Sequence, residues 1–233
     1  MTMPITPSAP PRKADGLTVD MWLSEALIRE TIVNRHPPGF ALREQDIADR
    51  FKVSRPSVRE ALRLMAHAGF VEIQPWRGAR IVAMTFDQFL DILALLEDIY
   101  ARCAALAAGR LADETIVALN DALETAALTR TAASREELYR FSFRFGAVIG
   151  DGAQSAVANR MLQQVGRIAL WQQRLLLPGT IESEGRSLDV HRLLVAALRA
   201  RHPALAAEAA RAIIRITRDS LTSANSAHIE YIV

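Results

Sequence analysis

The chain has 233 residues, half of them hydrophobic, a single cysteine and a formal net charge of +2. That length suits one large domain or two small ones with a sizeable core. The lone Cys103 excludes an internal disulfide or a cysteine-based zinc cluster, and no apolar run reaches the roughly 20 residues needed to span a bilayer. A globular, cytoplasmic protein with no membrane partner is expected.

Residues 1–16 are rich in Pro and Ala without an apolar core, which predicts a disordered tail rather than a signal or transit peptide. From Thr18 to Arg35 the apolar residues Leu23, Ala26, Leu27 and Val33 recur near helical spacing, and Pro37-Pro38-Gly39 ends the helix. A short helix follows over 44–51, with Ile47, Ala48 and Phe51 inward. After the brief turn Lys52-Val53, Ser54 caps a third helix that runs to about His67; Pro56 is tolerated in its first turn, where the N–H it lacks has no helical partner. Val71-Glu72-Ile73 and Ala79-Arg80-Ile81-Val82 alternate like strands, with 74–78 as the hairpin tip. Beyond Ala83 the pattern is helical throughout. Six helices are predicted, at about 86–109, 113–129, 134–149, 153–176, 186–201 and 203–223, with capping boxes at 85–88 and 134–137. Breaks fall at Gly109-Arg110, near Arg130, at Gly150-Asp151-Gly152, at Pro178-Gly179 and at His202-Pro203. The expected division is a tail (1–16), a small domain (17–84) and a helical domain (85–233). The small-residue surroundings of Cys103 point to a packed side chain, not a nucleophile. Trp171, Leu175, Leu176, Met161 and Leu162 are expected in the helical core.

Three helices followed by a two-stranded hairpin make a winged helix-turn-helix, and the third helix has two distinct faces. Val58, Ala61, Leu62 and Met65 form an apolar stripe. Arg55, Arg59 and Arg63 recur every fourth residue elsewhere on the helix. Between Arg50 and Arg80 there are seven basic residues against two acidic ones, a local excess larger than that of the whole chain. Such an excess points to phosphate. Arginine grips guanine O6 and N7 with two bonds, and the first turns of such a helix reach base edges in the major groove. Base reading is therefore assigned to Arg55 and Arg59, with Ser57 helping. Arg63, one turn deeper, meets phosphate. The helix N-terminus at Ser54 also suits a phosphate, and Arg77, Gly78 and Arg80 place cations on a flat wing. A solvated helix face is the plainer reading of the three arginines alone, the more so because the chain uses Arg throughout, with Lys only at 13 and 52.

Pro38-Gly39, Leu42, Glu44, Ile47-Ala48, Val53-Ser54-Arg55, Val58 to Leu62, Leu64, Gly69-Phe70-Val71 and Arg77-Gly78 together resemble the N-terminal domain of GntR-family bacterial transcription regulators over about residues 20–83. The resemblance implies operator-base contacts from Arg55, Ser57 and Arg59. It also implies approaches to DNA by Gln45, where the family often has arginine, and by Gly78 in the wing.

The helical remainder, about 86–223, resembles the FCD effector-binding domain of the FadR subgroup. Glu97 with Ala101, Ala104-Ala105 and Ala107-Ala108, then Phe141 and Phe143, then His191 with Leu194 and Ala197 carry that likeness. The implied fold is mainly α, a winged helix-turn-helix plus an all-α bundle. Many members of the subgroup hold a divalent metal with one Asp and three His. The matching positions here are Arg140, Arg144, His191 and Ile213, and only His191 is a ligand type. No metal or other cofactor is expected. Arg140 and Arg144 share a helix face, and with His191 they suit direct binding of a small anionic metabolite such as a carboxylate. Exposure to solvent, or pairing with Glu136 and Glu137, is the alternative for the two arginines. The expected function is a homodimeric regulator on a palindromic double-stranded operator, a repressor released by an organic acid. One rival is a helical domain that only dimerises. Another is an enzyme with a DNA-binding appendage, for which no nucleophile–base pair, phosphate loop or carboxylate–His cluster is visible.

Overall fold

The structure is a computed structural model that describes residues 18–34, 36–74, 78–128, 135–176 and 181–230, apart from the side chains of 33–34, 135–140, 174–176, 181–184 and 224–230. The chain forms two compact units, one through Thr85 and one from Phe86 onward.

The first unit runs α1 (Val19–Asn34), β1 (Ala41–Leu42), α2 (Glu44–Phe51), α3 (Arg55–His67), β2 (Val71–Gln74) and β3 (Gly78–Ile81). Its core gathers Leu23 and Leu27 of α1, Ile47 and Phe51 of α2, Val58, Leu62 and Met65 of α3, and Phe70 and Ile81 around the sheet. Trp22 meets Phe51 edge-on, with ring centroids 5.8 Å apart. The turn between α2 and α3 is made by Lys52, in the left-handed conformation at φ 55°, whose N–H donates to the Ala48 carbonyl. Strands β2 and β3 pair antiparallel with Glu72 opposite Arg80 and Gln74 opposite Gly78. The hairpin has a third strand that the sequence did not suggest: β1 pairs with β3, so the order is β1-β3-β2. Two residues are too few to show alternation. Pairing with β3 makes this a strand, aided by the Gly39 N–H donating to the Ile81 carbonyl and the Ile81 N–H to the Phe40 carbonyl. The tip residues 75–77, Arg77 among them, lie outside the described residues.

The second unit runs α4 (Phe86–Ala108), α5 (Asp113–Leu128), α6 (Arg135–Gly152), α7 (Ala156–Leu176), α8 (Ile181–Arg199) and α9 (Pro203–Glu230). Helix α4 is central and packs against α6, α7, α8 and α9. It buries the small residues Ala101, Cys103, Ala104, Ala107 and Ala108, and α9, which packs against it, buries Ala206, Ala209 and Ala210. Small side chains on both helices let their axes come close. One buried acid stands in this seam: Glu97 accepts from Arg215 Nε at 2.8 Å and from Arg218 Nη1 at 3.2 Å. Burial pushes the Cys103 thiol up, as fits a packed side chain.

Several expected boundaries move. The break expected at Gly150-Asp151-Gly152 is not there, because α6 continues through Gly152 and turns at Ala153 and Gln154, the latter at φ 49°. The glycines serve close approach instead. A Cβ on Gly150 would lie 2.4 Å from Asn159 Oδ1, and one on Gly152 would lie 2.5 Å from Leu111 Cδ2. Helix α8 starts at Ile181 rather than 186, and α9 extends to Glu230. Met161 is half exposed, not core, whereas Leu162 and Trp171 are buried. The breaks near Arg130 and at Pro178-Gly179, and the cap at Ser134, fall outside the described residues. Among the described residues no helix is long and apolar enough to cross a membrane.

Candidate nucleic-acid interface

Helix α3 has the two faces its sequence demands. Val58, Ala61, Leu62 and Met65 are buried, while the side chains of Arg55, Arg59 and Arg63 are 55%, 57% and 66% exposed. Three long cations stand outward only because the four apolar residues fix the rotation of the helix. Its start is also fixed: Ser54 sits in extended backbone and its Oγ accepts from the Ser57 N–H at 3.3 Å, with Pro56 in the first turn. The two hydroxyls, Ser54 Oγ and Ser57 Oγ, are 2.8 Å apart. Ser57 thus belongs to the cap as well as to the outward face.

The arginines are not independent. Glu44, the first residue of α2, takes the Arg59 Nε–H between its two carboxylate oxygens, at 3.0 and 2.9 Å, and lies 3.5 Å from Arg55 Nη2. The hydrogen bond from Arg59 holds the Glu44 carboxyl below the usual carboxylate range, against an upward pull from burial. Arg63 pairs with Glu60 one turn back at 3.2 Å. Gln45 Nε2 donates to Asp49 Oδ1 on the same helix at 2.9 Å and stays exposed. The sequence alone gives Glu44 no role at this surface. Its partners lie 11 and 15 positions away, and only the α2–α3 turn brings them together.

In the wing, Gly78 adopts φ 79°, a conformation open to glycine at little cost, and a Cβ there would meet nothing within 4 Å. The backbone is therefore open outward at this point. Arg80 is exposed, and its Nη1 donates to the Gly39 carbonyl at 3.1 Å, so this cation is braced against the loop before β1. Behind the interface, Glu30 of α1 accepts two hydrogen bonds from Arg50 of α2, at 2.6 and 2.8 Å. Burial pulls the Glu30 carboxyl up, but His36 and Arg50 outweigh it and hold it below its ordinary value. This pair ties α1 to α2.

In the helical unit, His191 is buried. Its Nδ1 lies 2.7 Å from the Ser187 carbonyl, and its ring lies 5.3 Å from that of Phe141 and 4.9 Å from that of Phe145. Burial pushes its pKa down to about 4, so the ring is neutral, and the carbonyl fixes the proton on Nδ1. Arg144 is exposed, as the alternative reading of the two arginines has it. The reason is the rotation of α6: the Phe141–Phe145 stripe packs inward, and Arg144 lies on the neighbouring stripe. The side chain of Arg140 lies outside those described. Ile213 is buried and apolar. Among the described residues no three His, Cys, Asp or Glu side chains are gathered as a metal site would need, and of the four positions that match the subgroup's ligands only His191 has a donor. These residues do not fit a divalent ion.

The model of the bacterial regulatory proteins of the gntR family matches residues 25–81, and that of the FCD domain matches residues 91–216. Among solved structures, Escherichia coli McbR/YncC is similar over 91% of this chain and 99% of its own, with a TM-score of 0.74 and 16% identity. A GntR transcriptional regulator from Rhodococcus sp. RHA1 is similar over 89% of this chain and 98% of its own, with a TM-score of 0.66 and 18% identity. Lar, which controls expression of the Listeria monocytogenes agr system, is similar over 88% and 97%, with a TM-score of 0.55 and 16% identity. At such identities the likeness establishes the fold. No curated protein matches the chain.

Proposed function

Since the chain belongs to the gntR family of bacterial regulatory proteins and carries an FCD domain, and is thus a DNA-binding transcription regulator rather than an enzyme, we propose that it acts in the cytoplasm as a homodimeric repressor on a palindromic operator. Two-fold protein symmetry mirrors that of the operator. Arg55 and Arg59 read bases from the N-terminal turns of α3, with Ser57 beside them. Arg63, Arg80, Gln45, the Ser54 end of the helix, and the wing residues Arg77 and Gly78 meet the DNA backbone. The observation that carries this reading is the outward arginine row on a helix whose opposite face is fully buried. Selection from a randomised duplex pool should return a palindrome. Arg59→Ala should then lose about 1–3 kcal/mol of discrimination at one base position in each half-site. If Arg59→Ala weakens all sequences equally, Arg59 does not read bases.

The release signal we propose is a small organic acid bound in the helical unit, without a metal. Arg144, beside the Phe141–Phe145 stripe that covers His191, is assigned one of its cations, and Arg140, four residues earlier in α6, the other. Among the described residues Arg144 makes no ion pair, which leaves its five N–H donors for a carboxylate. Such a ligand changes operator affinity only by the difference in its own affinity for the two states. Thermal shift against a panel of organic acids tests this, since a ligand at 100 times its dissociation constant adds about 2.7 kcal/mol. Arg140→Ala with Arg144→Ala should remove the shift and spare operator binding. A second reading, a helical unit that dimerises without a ligand, is favoured by the exposure of Arg144 and the closed packing about His191. The absence of any shift across the panel would select it.

A further inference from the structure

We propose that Glu44 is a positioning residue for sequence choice: it orients the Arg59 guanidinium toward the bases and restrains binding of the same surface to bare phosphate. The geometry carries both halves. Glu44 engages Arg59 only through Nε–H, shared between the two carboxylate oxygens at 3.0 and 2.9 Å. The four hydrogens on Nη1 and Nη2 have no protein partner among the described residues. The guanidinium is therefore held by its inner edge with its outer edge presented, and that outer edge is the fork that matches guanine O6 and N7. A free arginine gives up side-chain entropy to adopt one such orientation; a pinned one has given it up already.

The second half is electrostatic. Arg55 and Arg59 alone would present two cations to any phosphate, whatever the sequence. A carboxylate between them cancels one, and it repels the phosphates that a non-specific complex would bring close. Sequence-independent affinity rests on phosphate neutralisation and counterion release, so this loss falls mainly on non-specific binding. The base contacts, fixed by direction as well as charge, keep theirs. Specificity is the difference between these affinities. Glu44 stands where both can be tuned, because the left-handed turn at Lys52 sets the start of α2 against the first turns of α3.

The inference rests on base reading by Arg59, and its test separates the two. The full chain is measured on the duplex it selects from a random pool and on a random-sequence duplex, by fluorescence anisotropy over a salt series. Glu44→Gln, which keeps the side-chain shape, should bind the random duplex more tightly, with a salt slope steeper by about one. Its preference for the selected duplex should fall about tenfold, with the loss concentrated at the base position that Arg59→Ala also relaxes. Glu44→Asp should recover part of that preference. Combining Glu44→Gln with Arg59→Ala should add little further loss of preference, because the first acts through the second. Parallel weakening on both duplexes, together with a lower melting temperature, would make Glu44 a purely structural residue and overturn the proposal. So would strict additivity of the two substitutions. If Arg59→Ala leaves base preference intact, the base-reading assignment fails on its own terms.

Discussion

Replacing His191 with Leu tests how the helical unit responds to acid. The wild-type ring is buried against Phe141 and Phe145 and stays neutral, with a pKa pushed by burial from 6.5 to about 4 against the opposing hydrogen bond to the Ser187 carbonyl. The unfolded chain binds the proton at the ordinary value, so between the two pKa values the unfolded state holds more protons. Stability from this group is therefore complete above about pH 6.5 and is lost as pH falls through 4. At 1.36 kcal/mol per unit, the full loss is about 3 kcal/mol, and about 2 kcal/mol of it appears between pH 7.5 and pH 5. Leu fills similar space and carries no titratable group, and the Ser187 carbonyl keeps the bonding of its helix. Urea unfolding followed by the fluorescence of buried Trp171, with Trp22 and Trp76 replaced by Phe, reads the helical unit at each pH. The wild type should lose about 2 kcal/mol more than His191→Leu over that range, since every other titrating group cancels in the difference. Parallel curves would mean that His191 is not held neutral, and the packing argument for it would fall.

Three further outcomes follow from local geometry. Gly152→Ala should destabilise the helical unit by about 1–3 kcal/mol, because the new methyl meets the buried Leu111 at 2.5 Å. Gly146→Ala on the same helix, where a Cβ meets nothing within 4 Å, should instead stabilise by about 0.5–1 kcal/mol; melting temperatures of opposite sign check the pair. Ser54→Ala removes the acceptor for the Ser57 N–H and should cost the first unit about 1 kcal/mol, measured by urea unfolding on Trp22. Arg63→Ala should lower affinity for selected and random duplexes alike and reduce the salt slope by about one; a change in base preference would contradict its backbone role.

The first unit was legible in the sequence to the residue at several points. The Ser54 cap, the Pro56 turn and the Val58–Met65 stripe are local signals: one hydrogen bond to the next turn and one apolar face. Strand β1 was not legible, because two residues carry no period and their conformation comes from pairing with β3. The Gly150–Gly152 segment misled in the opposite direction. Glycine reads as a breaker in isolation, whereas here Asn159 and Leu111 press on the helix and leave no room for a side chain.

The same division runs through the site. The sequence by itself determined that α3 carries a row of arginines opposite a buried stripe, since both are set by a period of 3.6 residues along one segment. That His191 alone among Arg140, Arg144, His191 and Ile213 is a metal-ligand residue type is likewise a matter of residue identity. Only the tertiary structure decided that Glu44 holds Arg59, that His191 is buried and neutral against two phenylalanines, and that Arg144 stands outside that packing. These depend on distances between residues far apart in the chain and on which face of a helix turns inward, and both are fixed by how the helices pack.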